Sequence, residues 1–222
     1  MRAGEPFPLR GPAGALEARL DHPPAAPRFR AVVAHPHPLY GGTMDNAVVE
    51  LAASAVVDAG GEALRFNFRG VGQSDGQHDG GAGERLDLAA AAAALGARRP
   101  ELPLVLAGYS FGAVATLEHL ARGGDPAAAT GVIGVLLLAP PVTHYEGAGW
   151  RLGSLRVMVI YGERDALTPP ALLRERAARW GAAVRYRALP GAGHDLGALG
   201  APNALQSALG SALTFLAPES AD

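Results

Sequence analysis

Apolar positions along the chain follow two rhythms. Short segments rich in apolar residues at 29–34, 63–68, 102–107, 132–138, 155–160 and 183–188 predict strands. Between them apolar residues recur every three or four positions. The series are Met44, Val48, Leu51 and Ala55; Leu86, Ala90, Ala93 and Ala97; Val114, Leu117 and Ala121; Leu173, Ala177 and Trp180; and Leu205, Leu209, Leu213 and Leu216. Each series predicts the inward face of a helix. Pro100 and Pro218 end two of these helices, and Thr168 before Pro169 is the predicted N-cap of another. At the N-terminus, residues 7–10 and 15–20 flank Gly11-Pro12-Ala13-Gly14, a turn cluster that predicts a hairpin.

Strands alternating with helices call for right-handed crossovers, and so for a mostly parallel sheet covered on both faces. The expectation is an α/β fold with a mostly parallel central sheet of about 7–8 strands flanked by helices, as one domain over residues 1–222. The connection between the predicted strands 132–138 and 155–160 is too short to build a separate lid domain.

Composition narrows the function. Hydrophobic residues make up 49% of the 222, enough for a large core, and the net charge of −2 gives no attraction to nucleic acid or an anionic membrane. All 19 basic residues are Arg and they form no cluster. The absence of Cys excludes disulfides, zinc thiolates and thiol nucleophiles. No stretch approaches the roughly 20 apolar residues a membrane helix needs, and Met1-Arg2-Ala3-Gly4-Glu5-Pro6 has no apolar run behind it to make a leader. A cytoplasmic protein, monomer or dimer, with no nucleic-acid or membrane partner is expected.

The chemistry gathers at the carboxyl ends of the predicted strands, where ligands bind in such sheets. Gly108-Tyr109-Ser110-Phe111-Gly112 is a G-x-S-x-G motif between a strand and a helix. Such a turn projects the Ser110 hydroxyl outward and places the Phe111 N–H at a helix start, where it can donate to a developing oxyanion. A serine nucleophile needs a base. His194, on the Gly-rich loop 189–194, is the candidate, and Asp165 is the acid that would orient it, with Glu163 as rival and Asp195 read as a helix cap. A second oxyanion donor is expected after the strand 29–34, in His35-Pro36-His37-Pro38-Leu39-Tyr40-Gly41-Gly42. Pro36 and Pro38 have no N–H, which leaves His37 or Leu39, with Tyr40 less favoured. His35 and His37 also raise a metal reading, which lacks a clearly placed third ligand, so no metal is expected. Tyr40, Tyr109, His144, Tyr145 and Trp150 are candidate substrate-binding residues, while His22, His78 and His119 read as peripheral.

In combination, the segment 35–46, Arg65-Phe66-Asn67-Phe68-Arg69-Gly70-Val71-Gly72-Gln73-Ser74-Asp75-Gly76, the segment 107–113 and the Asp165 and His194 loops form a distinctive set. From about Ala31 to His194, and more loosely to the end, the chain resembles the compact bacterial α/β-hydrolases related to dienelactone hydrolases and prolyl-oligopeptidase-type catalytic domains. Pro36 stands where that pattern usually has Gly. The resemblance implies an α/β-hydrolase fold and a serine hydrolase of esterase-like activity without a cofactor. With no lid, short-acyl or small polar esters are the expected substrates. Thioesterase, peptidase and lactonase chemistry use the same triad, and a non-catalytic binding domain could retain the fold. Gly70-x-Gly72 lacks the third glycine of a dinucleotide loop, since Asp75 stands there, and reads as a structural loop.

Overall fold

A computed structural model describes residues 4–122, 131–145, 150–200 and 202–218. Residues 1–3, where no leader was expected, and residues 146–149 of the 139–154 connection lie outside the described residues. In chain order the elements are β1 (Glu5–Pro6), β2 (Leu9–Gly11), β3 (Gly14–Leu16), β4 (Ala18–Asp21), β5 (Phe29–Ala34), α1 (Ala47–Asp58), β6 (Gly61–Phe66), α2 (Ala82–Arg98), β7 (Leu104–Tyr109), α3 (Phe111–Arg122), β8 (Val132–Leu138), β9 (Arg156–Gly162), α4 (Pro170–Ala177), β10 (Ala183–Leu189) and α5 (Pro202–Leu216). The expected hairpin is the antiparallel pair β2–β3, with Leu9 opposite Leu16.

Eight strands form one sheet in the order β1-β4-β6-β5-β7-β8-β9-β10. The β1–β4 and β4–β6 pairs are antiparallel and the rest are parallel. The parity of β5 explains the two layers. Ala31 and Val33 pack with α1 and α5, while Val32 and Ala34 pack with α2, α3 and α4. A strand covered on both faces is mostly apolar, and the one charged residue of β5, Arg30, is buried with its guanidinium donating to Leu95 O at 3.1 Å. Edge strand β10 alternates instead, with every second residue from Ala183 exposed. β5 sits between β6 and β7, so the chain leaves it first toward one side of the sheet and returns on the other. This reversal at β5 is where sheets of this kind place a binding site, beyond the carboxyl ends of β5 and β7.

Three local expectations are corrected. On α2 the buried stripe is Glu84, Asp87, Leu88, Ala91, Ala92 and Leu95, and Leu86, Ala93 and Ala97 point to solvent. The true stripe contains two carboxylates, which an apolar rhythm passes over. They are buried because Arg69 and backbone N–H groups neutralise and saturate them. Arg69 Nε and Nη2 donate to the two Asp87 oxygens at 2.9 and 2.7 Å. Glu84 accepts from Gly81 N–H at 2.8 Å. The helix after β9 starts one residue later than expected, with Pro169 as N-cap and Pro170 in the first turn. The Thr168 hydroxyl donates instead to the Pro140 carbonyl at 2.9 Å, tying two active-end loops together. Finally, Met44 precedes α1, which is capped by Asn46 accepting from Val48 N–H at 3.0 Å.

Candidate active site

Ser110 stands between β7 and α3 with φ of +54°. A non-glycine residue in this left-handed region costs about 1–2 kcal/mol. The strain is held by the surroundings: Ser110 N–H donates to Leu138 O on the neighbouring strand at 2.8 Å, and its carbonyl accepts from Ala113 N–H at 3.0 Å. The flanking glycines are steric requirements. A Cβ on Gly108 would run into the Gly112 backbone, and one on Gly112 into the Ala34 and His35 carbonyls.

The structure brings Ser110, His194 and Asp165 together. His194 Nε2 lies 2.8 Å from Ser110 Oγ, and His194 Nδ1 lies 2.8 Å from Asp165 Oδ2. These bonds require Nδ1–H to donate to the carboxylate, leaving Nε2 to accept from the serine hydroxyl. The Asp165 carboxylate is wholly buried, and its other oxygen accepts from Leu167 N–H at 2.8 Å. Burial opposes its ionisation, but the hydrogen bond and charge of His194, with the Leu167 N–H, hold it below the ordinary aspartate range. Rival Glu163 is exposed, and Asp195 accepts from Gly197 N–H in a local turn rather than capping α5. Gly162 at the end of β9 lets the histidine loop cross close by, since a Cβ there would strike the carbonyls of Ala192 and Gly193. Tyr109 proves to be neither exposed nor a wall residue. It is 6% exposed, and its hydroxyl donates to the His194 carbonyl at 3.0 Å.

The loop after β5 makes a 3-10 turn over Pro38–Tyr40. Leu39 N–H donates to His37 Nδ1 at 3.2 Å, and Tyr40 and Gly42 N–H donate to His37 O. The His37 N–H makes no hydrogen bond among the described residues. The His37 ring lies 4.9 Å from that of Phe111, so the two loops with candidate oxyanion donors abut. Burial lowers the His37 pKa, and the nearby His78 lowers it further. His35 is fully buried. Its Nδ1 donates to Pro36 O at 2.6 Å and its Nε2 accepts from Phe68 N–H at 3.0 Å. Burial pushes its pKa down to about 4, so the ring is neutral and has no nitrogen left for a metal.

Beside Phe111 a cavity of about 320 Å³ opens between the start of α2, α3 and Tyr145, lined also by Val114, Arg85 and Glu118. Of the candidate substrate residues, Tyr145 lines it. Burial raises the Tyr145 phenol pKa, with Tyr40 and Glu84 adding to the effect. Tyr40 is 87% exposed with its ring 4.8 Å from that of His37, and His144 is exposed with its ring 2.9 Å from the Thr143 hydroxyl. Trp150 is a correction. It is 4% exposed in the core beside Trp180, and its Nε1 donates to Glu118 at 2.8 Å, so it supports the cavity from behind. His78 is more involved than expected: its Nδ1 lies 2.6 Å from the buried Glu84, and its ring is 5.0 Å from that of His37. No local sequence signal marks it, because Glu84 reads as a solvent-facing charge. The 70–76 loop is structural, as expected. Ser74 accepts from Glu17 N–H and donates to Asn67 O, while Asp75 accepts from Ala15 N–H.

Comparison with known proteins agrees with this architecture. No family model matches the chain. An uncharacterised protein of Rickettsia prowazekii is 38% identical over 135 residues, which are 60% of this chain and 54% of that protein, so the match spans about half of that relative's length. The α/β serine hydrolase homologue from Coxiella burnetii superposes with a TM-score of 0.85 at 31% identity, covering 96% of this chain and 99% of that one. XC6422 of Xanthomonas campestris, an α/β serine hydrolase without a lid, superposes with a TM-score of 0.84 at 30% identity over 100% of this chain and 98% of that one. With its parallel sheet, its serine at a strained strand-to-helix turn and this likeness along its whole length, the chain belongs to the α/β serine hydrolase family.

Proposed function

We propose that the chain is a carboxylic-ester hydrolase for short-acyl or small polar esters, with Ser110 as nucleophile, His194 as base and Asp165 as orienting acid. One observation carries the reading: an unbroken pair of 2.8 Å contacts runs from Ser110 Oγ through the imidazole to a buried carboxylate. As the Ser110 oxygen attacks the ester carbonyl, His194 Nε2 takes its proton and Asp165 stabilises the imidazolium. The oxyanion is held by the N–H of Phe111, at the first turn of α3, and by the N–H of His37. Leu39 is the poorer second donor, because its N–H is already spent on the His37 ring and the residue is 70% exposed. His194 then protonates the leaving alcohol. Water attacks the acyl-serine, giving its proton to His194, and collapse of that intermediate returns the proton to Ser110.

The shortness of the connection that could cover the site supports the substrate class. The connection from β8 to β9 is short, and the cavity beside Phe111 is small. Each buried CH₂ of an acyl chain contributes about 0.8 kcal/mol only if it leaves water. A p-nitrophenyl ester series from acetate to decanoate tests this, with a maximum in kcat/KM expected at butyrate or shorter. Turnover that persists in Ser110→Ala, or that rises steadily to decanoate, contradicts the proposal.

A further inference from the structure

Resting on that reading, we propose that Tyr109 is a positioning residue: its hydroxyl grips the main chain of His194 and so sets the imidazole at hydrogen-bonding distance from the adjacent Ser110. The histidine loop is built from a flexible sequence, Gly191-Ala192-Gly193-His194, followed by Leu196 at φ of +56°. Its other backbone bonds act around the histidine rather than on it. Arg164 N–H holds Ala192 O at 2.9 Å, Ala192 N–H reaches Leu189 O, and Leu196 N–H reaches Gly193 O. Among the described residues, the bond to the His194 carbonyl comes from Tyr109, at 3.0 Å. The phenol ring also lies 5.7 Å from the imidazole, tilted by 33°, and limits its sideways movement.

The anchor is itself fixed. Tyr109 is the last residue of β7, with its side chain packed in the core layer that contains Leu138, Ile160 and Leu196. Burial, with the charges of Asp195 and Asp165, pushes its phenol up to about 12, so the hydroxyl keeps its proton and donates throughout the working pH range. One rigid strand end therefore carries the nucleophile in one residue and the brace for the base in the residue before it. A shift of about 1 Å in a reacting group can lower a rate by orders of magnitude, so a brace of this kind bears on kcat rather than on binding.

Tyr109→Phe keeps the ring and removes the brace. The expected result is a kcat about tenfold lower with KM within about twofold of wild type and Tm within a few degrees. In a His194→Ala background the same substitution is expected to leave the residual rate unchanged, since no imidazole remains to position. An unchanged kcat, a loss that persists in the His194→Ala background, or a loss that tracks a collapse of Tm overturns the proposal. Failure of the esterase reading is distinguishable: wild-type protein would then neither turn over the ester nor form an adduct at Ser110 with a fluorophosphonate, and the brace would fall with it.

Discussion

The two sides of the candidate site are built differently. On the side of the proposed acid–base groups, at the ends of β7, β8, β9 and β10, polar groups have assigned partners and the strained residues Ser110, Ala139 and Leu196 gather. On the entrance side, at residues 37–40 and 143–145, Leu39, Tyr40 and His144 stand in solvent with few bonds to fix them. The difference separates two tasks. Proton transfer needs fixed distances, and a packed frame supplies them. Substrate admission needs access, and a rim of sparsely held side chains leaves it open.

Substitutions should fall on the two sides with unequal force. The largest expected loss is on the acid–base side: His194→Ala lowers kcat by about 10³–10⁶-fold, and Asp165→Asn by about 10³–10⁴-fold, in short-ester turnover. Behind the entrance, Arg69→Met leaves the Asp87 carboxylate buried with a backbone N–H but no counter-ion, and should cost about 3–5 kcal/mol in denaturant unfolding. If it costs nothing, the loop that carries His78 is not braced through that pair.

His35 tests the frame by pH. Its folded pKa, about 4, lies below the ordinary histidine value, so between those values the unfolded chain binds more protons than the folded one. Stability contributed by the neutral ring is thus present above about pH 6.5 and is lost as pH falls toward 4, by about 3 kcal/mol in all. Chemical denaturation of wild type and His35→Asn across that range should show the steeper acid loss in wild type. Parallel curves would mean that His35 is not held neutral by burial. The smallest expected effect belongs to the rim: Tyr40→Ala changes kcat by less than about threefold, with any larger change confined to KM. A loss there equal to that of Asp165→Asn would erase the distinction between the two sides.

The same division explains what the sequence revealed. β5 and β8 are legible to the residue because strands buried on both faces are dominated by apolar residues, the buried Arg30 of β5 being the one charged exception. The grouping of Ser110, Asp165 and His194 is legible because each follows a strand and the glycines have steric work at the turns. The inward face of α2 was misread because Glu84 and Asp87 are buried through long-range partners. Trp150 reads from the sequence as a substrate-binding residue because nothing local announces Glu118 as its acceptor. The proposed preference for His37 over Leu39 rests on the His37 ring accepting from the Leu39 N–H, a fact of turn geometry that the sequence does not carry.

The central claim is that Ser110 is an activated nucleophile. Its most direct test is intact-protein and peptide mass spectrometry after exposure to a fluorophosphonate. One stoichiometric adduct is expected on Ser110 in wild type, none in Ser110→Ala and a strongly slowed reaction in His194→Ala. A wild-type protein that stays unmodified, or one that carries the adduct on another residue, would contradict it.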